Sequence, residues 1–232
     1  MAEKIKYTRK DLKGPDEFMT ALGRAVAWSG ENRPKLLAAV AVLVLVLGGV
    51  LGTRAYMRWE ETKATSTLWP HLNKAREFLQ APTTADADKL AQLEQFLAAH
   101  VQAHPNTKAA LYARYYLASI AYTRGNYDMS IHWFRAALEG TKDLPDMAYL
   151  VRTGLAQSLE AKGDPAAAAS AYKDAGDAAS GELRVEARMG QARTLLLLGR
   201  RDDAAAIYRT VITENPDSPQ KELAELKLSR IS

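Results

Sequence analysis

The chain has 232 residues, 47% hydrophobic and 25% charged, with no cysteine and a formal net charge of +4. That length supports one sizeable core, and the missing cysteine excludes both a disulfide framework and a lipid-modified cysteine. The charge is lopsided: residues 1–59 carry ten Lys/Arg against five Asp/Glu, and residues 60–232 carry twenty-one against twenty-two. A surface that tracks phosphates needs a basic excess that the larger part lacks, so nucleic acid is excluded as a partner.

Residues 1–35 read as a basic cytoplasmic lead, its stretch 4–13 attracted to anionic lipid. Gly14-Pro15-Asp16-Glu17 is a helix start, because Pro suits the first helical position and the acids complement the exposed amide end. Phe18, Met19, Leu22, Val26 and Ser29 then recur at helical spacing, and Gly30 and Pro34 end the segment. Such a short amphipathic helix suits the headgroup plane, a partner's surface or plain solvent.

Residues 36–53 are eighteen positions without a charge, bracketed by Lys35 and Arg54. As a helix they cover roughly 27 Å, enough for a ~30 Å hydrocarbon core once the flanking basic side chains snorkel. Tyr56 and Trp59 follow at headgroup depth, so 36–57 reads as a single transmembrane anchor. A cleaved signal peptide would need a shorter lead, a shorter apolar run and a small-x-small site without Arg54 and Tyr56 beside it. Gly48 and Gly52, with Ala41 seven residues before Gly48, give a small-residue face that permits close helix packing and a weak homodimer. Eight basic residues in the lead favour a cytoplasmic N-terminus and a C-terminal domain outside the cytoplasm.

Residues 58–106 read as a degenerate helix pair. Leu68, Leu72, Ala75, Phe78 and Leu79 give one apolar face, with Pro70 kinking or breaking the helix just after Trp69. Leu90, Leu93, Leu97 and Val101 give the second, ended by His104-Pro105, and Ala81-Pro82-Thr83-Thr84 is the turn between them.

Residues 107–218 carry three aligned helix-turn-helix units. Turn glycines Gly125, Gly163 and Gly199 are 38 and 36 residues apart, and nine residues past each stands an aromatic, Phe134, Tyr172 or Tyr208. Ala137, Ala175 or Val211 follows three residues later, and Leu117-Ala118, Leu155-Ala156 and Gln191-Ala192 mark the first helices. The glycine ends the first helix in the left-handed conformation, the small residues let the two helices cross closely, and the aromatic fills the wedge between them. Asn215-Pro216 closes the third unit. Residues 219–232 form a capping helix whose buried side is Leu223, Leu226 and Ile231. The spacing and residue types resemble tetratricopeptide repeats. The fold class is all-α: an N-terminal single transmembrane helix followed by a tetratricopeptide-repeat-like helical solenoid.

The full arrangement, with PDEFMTALGRAVAWSGENRPKLL, the YMRW exit of the anchor and the closing LAELKLSRIS, resembles the YfgM family. That family is the bacterial inner-membrane, periplasm-facing ancillary subunit of the SecYEG translocon. The resemblance implies protein partners: the translocon, membrane-tethered chaperones and secreted clients.

No catalytic constellation is legible, so the chain reads as no enzyme and as holding no cofactor and no metal. His100 and His104 have metal-ligand spacing without a third ligand nearby and read as surface histidines at a helix end. Asp202-Asp203 reads as a helix start. What remains is a groove lined by the first helices. Tyr112, Tyr115, Ser119 and Tyr122 come from the first unit, Gln157 and Glu160 from the second, and Glu186, Met189 and Arg193 from the third. Tyrosine offers amphipathic area at low entropic cost, which suits extended peptides, although the same tyrosines suit packing between units equally well. A carboxylate clamp is missing, since Tyr115, Ser119 and Tyr122 stand where its polar residues would be. The expected function is a membrane-tethered protein–protein interaction scaffold assisting secreted proteins at the Sec translocon. Alternatives are an envelope scaffold for cell division or wall assembly, or a regulatory subunit of a membrane enzyme.

Overall fold

A computed structural model describes residues 17–82 and 86–231. All its elements are helices, with no strand among the described residues: α1 (Glu17–Glu31), α2 (Arg33–Gln80), α3 (Ala87–Ala103), α4 (Lys108–Thr123), α5 (Tyr127–Leu138), α6 (Pro145–Lys162), α7 (Pro165–Ala178), α8 (Gly181–Leu197), α9 (Arg201–Glu214) and α10 (Lys221–Ser229). The chain divides into two units, Met1–Met57 and Arg58–Ser232. The residues Gly14, Pro15 and Asp16, the basic stretch 4–13, and Thr83-Thr84 lie outside the described residues.

In the first unit, α1 covers the amphipathic segment, with Val26 and Trp28 exposed. α1 ends at Glu31, between Gly30 and Pro34 as the sequence predicts, and Pro34 itself opens the next helix. It lies in the first turn of α2, where a missing N–H leaves no bond unmade. Asn32 bridges the two helices, its backbone N–H and its Nδ2 both donating to Trp28 O at 3.0 Å. The apolar window is long and apolar enough to cross a membrane, and none of it is buried within the chain. Its one hydroxyl, Thr53 Oγ1, donates to Gly49 O at 2.8 Å, back along its own helix.

The second unit begins within α2. Ala64, Leu68, Leu72, Ala75 and Phe78 form one buried stripe that continues past Pro70, so the helix runs on to Gln80 without the break that Pro70 predicts. Buried leucines on both sides of the proline, each worth about 1.5–3 kcal/mol, offset the lost backbone bond. Leu90, Leu93, Leu97 and Val101 of α3 close on that stripe together with Ala109, Ala113, Leu117 and Ile120 of α4. His100 belongs to this core at 5% exposure, which corrects its reading as a surface histidine.

Three further pairs follow, α4/α5, α6/α7 and α8/α9, and each helix touches the next along the chain. The three turns are built alike. Gly125, Gly163 and Gly199 have φ of +74°, +89° and +73°, the left-handed conformation that a side chain disfavours. The following N–H then reaches the carbonyl five residues back: Asn126 to Ala121, Asp164 to Leu159 and Arg200 to Leu195, at 2.8–3.0 Å.

One packing expectation is extended and one corrected. The repeat aromatics pack within their own pair, Phe134 of α5 against Tyr115 of α4, and they also reach the next unit. A Cβ on Gly154 of α6 would stand 2.3 Å from Phe134 Cζ, and one on Gly190 of α8 would stand 2.6 Å from Tyr172 Cε1. The buried side of α10 is Ala224, with Leu228 and Ile231 partly buried, while Leu223 and Leu226 are exposed. Both stripes have helical spacing, and the one carrying Ala224 packs against Tyr208 and Val211 of α9 in the last core.

Candidate functional site

Helix α4 sets Tyr112, Tyr115, Ser119 and Tyr122 along one stripe, since residues three and four apart share a face. The stripe is not uniform. Tyr112 and Tyr122 are each 37% exposed. Tyr115 is packed, its ring edge-on to Tyr116 at 5.5 Å and to Phe134 at 6.0 Å, and burial raises its phenol above the ordinary value. Ser119 Oγ donates to Tyr115 O at 2.9 Å, and Tyr122 lies 5.8 Å from the ring of Tyr127 on α5. Two tyrosines are therefore open for contact, and the third belongs partly to the core.

Glu160 of α6 and Arg193 of α8 are brought together. Arg193 Nε donates to Glu160 Oε1 at 2.8 Å and its Nη2 to Oε2 at 2.7 Å. Tyr172 of α7 completes the knot: its hydroxyl donates to Glu160 Oε2 at 3.2 Å and accepts from Arg193 Nη2 at 3.0 Å, with the guanidinium 5.6 Å above its ring. The Arg193 bond holds the Glu160 carboxyl below the usual range, and Glu160 in turn raises Arg193. Burial pushes the Tyr172 phenol up to about 12. Arg193 is thus a cation already spent, and a carboxylate ligand would have to displace Glu160. Tyr172 was legible only as a packing aromatic, because its polar partners lie 12 and 21 residues away.

Glu186 accepts from the hydroxyl of buried Tyr149 at 2.9 Å, which ties α8 to α6 a second time. Burial, then the Glu186 bond, push Tyr149 up to about 12. Gln157 is exposed. Glu186, Met189 and Arg193 share a cleft of about 400 Å³ with Leu196 of the same helix and with Leu223 and Lys227 of α10. The α10 residues were missed as lining, although a leucine next to the buried stripe is the signal that would have found them. The nine residues therefore form separate patches, an open tyrosine pair on α4 and a cleft between α8 and α10, with the Glu160–Arg193 knot beside the cleft. In the anchor, a Cβ at Gly48 or Gly52 would meet nothing within 4 Å, and Ala41 is exposed, so that face is open in the single chain.

Residues 73–145 and 153–219 match the tetratricopeptide repeat family, more than half of the chain. The chain belongs to this family. The first tetratricopeptide match begins inside α2, so most of the helix pair that reads as degenerate in the sequence lies within the repeat array. No match to a curated protein accompanies it. Tetratricopeptide arrays stack helix pairs into extended binding surfaces, and the chain is a protein–protein interaction scaffold.

Proposed function

We propose that this scaffold is tethered in a bacterial inner membrane by residues 36–57 and serves as an ancillary subunit of the Sec translocon. In this reading the N-terminus is cytoplasmic and the repeats are periplasmic, where they engage membrane-tethered chaperones and secreted clients. The observation that carries the reading is the first-helix surface of the array, where Tyr112 and Tyr122 stand exposed while Arg193 is neutralised by Glu160 of the same chain. Open aromatics with spent charges favour extended segments of mixed sequence over one charged motif. The long apolar helix, the basic lead and the likeness of the lead and closing helix to the YfgM family support the location.

The test is a photo-crosslinking amino acid at Gln157, exposed on α6, activated in intact membranes, with the adducts identified. Adducts to translocon subunits and secreted chains are expected. Adducts confined to wall-assembly or division proteins, or to a single membrane enzyme, would replace this reading with the corresponding alternative.

A further inference from the structure

Three of the four histidines meet in the first helix pair. His71 of α2 lies flat on Phe96 of α3, with centroids 3.5 Å and planes 12° apart. His100 follows Phe96 at 6.0 Å, and His104 follows His100 at 4.9 Å. His104 Nδ1 donates to Glu60 Oε1 of α2 at 2.5 Å, so α2 grips the stack at both ends.

The middle ring is the sensitive one. His100 is 5% exposed, and its Nε2 has no hydrogen-bond partner among the described residues. From α2 it is faced by His71, with Glu60 engaged on His104; its own helix supplies Phe96 and His104. The α4 residues in this core are Ala109, Ala113, Leu117 and Ile120, with half-buried Tyr116 at the edge. Lys74 and Glu77 of α2 and Lys89 of α3 line the cleft beside His71 and Phe96, and four further charged groups on these helices are engaged elsewhere. Glu61 accepts from the N–H groups of Lys108 and Ala109, Lys63 lies over the Trp59 ring, Glu94 pairs with Arg124, and Arg114 donates to Pro105 O.

A proton on His100 would therefore be a buried charge between the Phe96 ring and the His104 imidazole, with His71 on the far side of Phe96. Burial first, then His104 and His71, hold its imidazole below the ordinary value. The sign follows: the neutral ring's contribution is complete above about pH 6.5 and declines as pH falls from there toward the lower folded value. The remaining histidine, His132, is exposed on α5, so the cores formed by α6 to α9 contain no comparable group. A cleft of about 470 Å³ runs beside His71 and Phe96 where α2 meets α3, lined by Phe78, Leu90 and Leu93.

We propose that the His71–Phe96–His100–His104 stack is an acid-sensitive clasp: protonation of His100 releases α3 from α2 and opens the first helix pair while the later repeats stay folded. The device regulates the length of folded array presented to a partner.

The test is amide hydrogen exchange of the full chain in phosphatidylethanolamine/phosphatidylglycerol nanodiscs at pH 7.5 and 5.5, compared as protection factors. Protection of residues 87–103 is expected to fall several-fold, up to the limit of about tenfold that one pH unit of linkage allows, while 181–197 holds. His100→Leu should abolish the fall, and His132→Gln should leave it intact. An equal loss in both segments, no loss at pH 5.5, or a loss that persists in His100→Leu would overturn the proposal. Should His100→Leu fail to fold, NMR titration of His100 in the native chain decides: a shared midpoint with the 87–103 opening supports the clasp, and separate midpoints overturn it.

Discussion

The ring of Phe134 on α5 fills the space that a side chain on Gly154 of α6 would need, its Cζ 2.3 Å from where the Cβ would stand. Gly154→Ala should therefore destabilise the protein despite alanine's better helix propensity, because overpacking costs about 1–3 kcal/mol against a propensity gain of at most about 1 kcal/mol. Phe134→Leu in the same chain should recover part of the loss. Thermal melting of the two variants in detergent checks this, and an Ala variant that melts at or above the native temperature would contradict it.

The exposed and packed tyrosines of α4 should separate on mutation. Tyr112→Ala with Tyr122→Ala should weaken crosslinking to partners about tenfold or more while leaving the circular dichroism unchanged, each aromatic contact contributing ~0.5–1.5 kcal/mol. Tyr115→Ala should instead lower the melting temperature, since its ring packs on Phe134 and Tyr116. Unchanged crosslinking in the double variant would remove the α4 stripe from the binding surface.

The Glu160–Arg193 pair gives a second pH signature, in more acidic solution than the histidine clasp. The folded carboxyl of Glu160 titrates below its ordinary value, so its contribution is complete above the unfolded value near 4.5 and lost as pH falls through the folded one. Glu160→Gln should cost about 1 kcal/mol at neutral pH and show a smaller further loss between pH 5 and 3 than the native chain. Parallel melting curves across that range would show the pair to be idle.

Orientation is testable at Ser180, the exposed N-cap of α8, in a chain with no native cysteine. Ser180→Cys should react with a membrane-impermeant maleimide in intact spheroplasts. Reaction only after lysis would place the repeats in the cytoplasm and end the periplasmic reading.

Ending the chain before Pro219 removes Ala224, Leu228 and Ile231 from the core that holds Tyr208 and Val211. The expected loss is about 2–4 kcal/mol, with reduced solubility. An unchanged melting midpoint would show that α10 is no cap.

The sequence made the turns legible because glycine at the end of a helix has one dominant cause. Gly125, Gly163 and Gly199 recur with the register of the array and all adopt positive φ. The apolar window of α2 was equally legible from length alone. The destination of each aromatic was hidden, since periodicity shows that Phe134 and Tyr172 recur but not that their partners are Gly154 and Gly190 in the following unit. Burial of His100 was hidden for the opposite reason, as a polar residue is read as exposed until the helix that covers it is known. On α10, two apolar stripes compete within nine residues; hydrophobicity favours the leucines, and packing on Tyr208 favours the methyl of Ala224. The Glu160–Arg193 knot joins residues 33 apart, a distance at which composition carries no pairing information.

Thr53 has a quieter consequence. Its hydroxyl is the one polar side chain in the apolar window, and it is folded back onto Gly49 O. In a hydrocarbon surrounding, a free hydroxyl would advertise for a donor or acceptor on a neighbouring helix, and the proton of this one is already answered. A helix meeting the anchor inside a bilayer would find contour and small-residue clefts to match and, at Thr53, an oxygen that can still accept but no side-chain donor left to give. Lateral recognition there would rest mainly on shape, leaving chemical discrimination to the repeats.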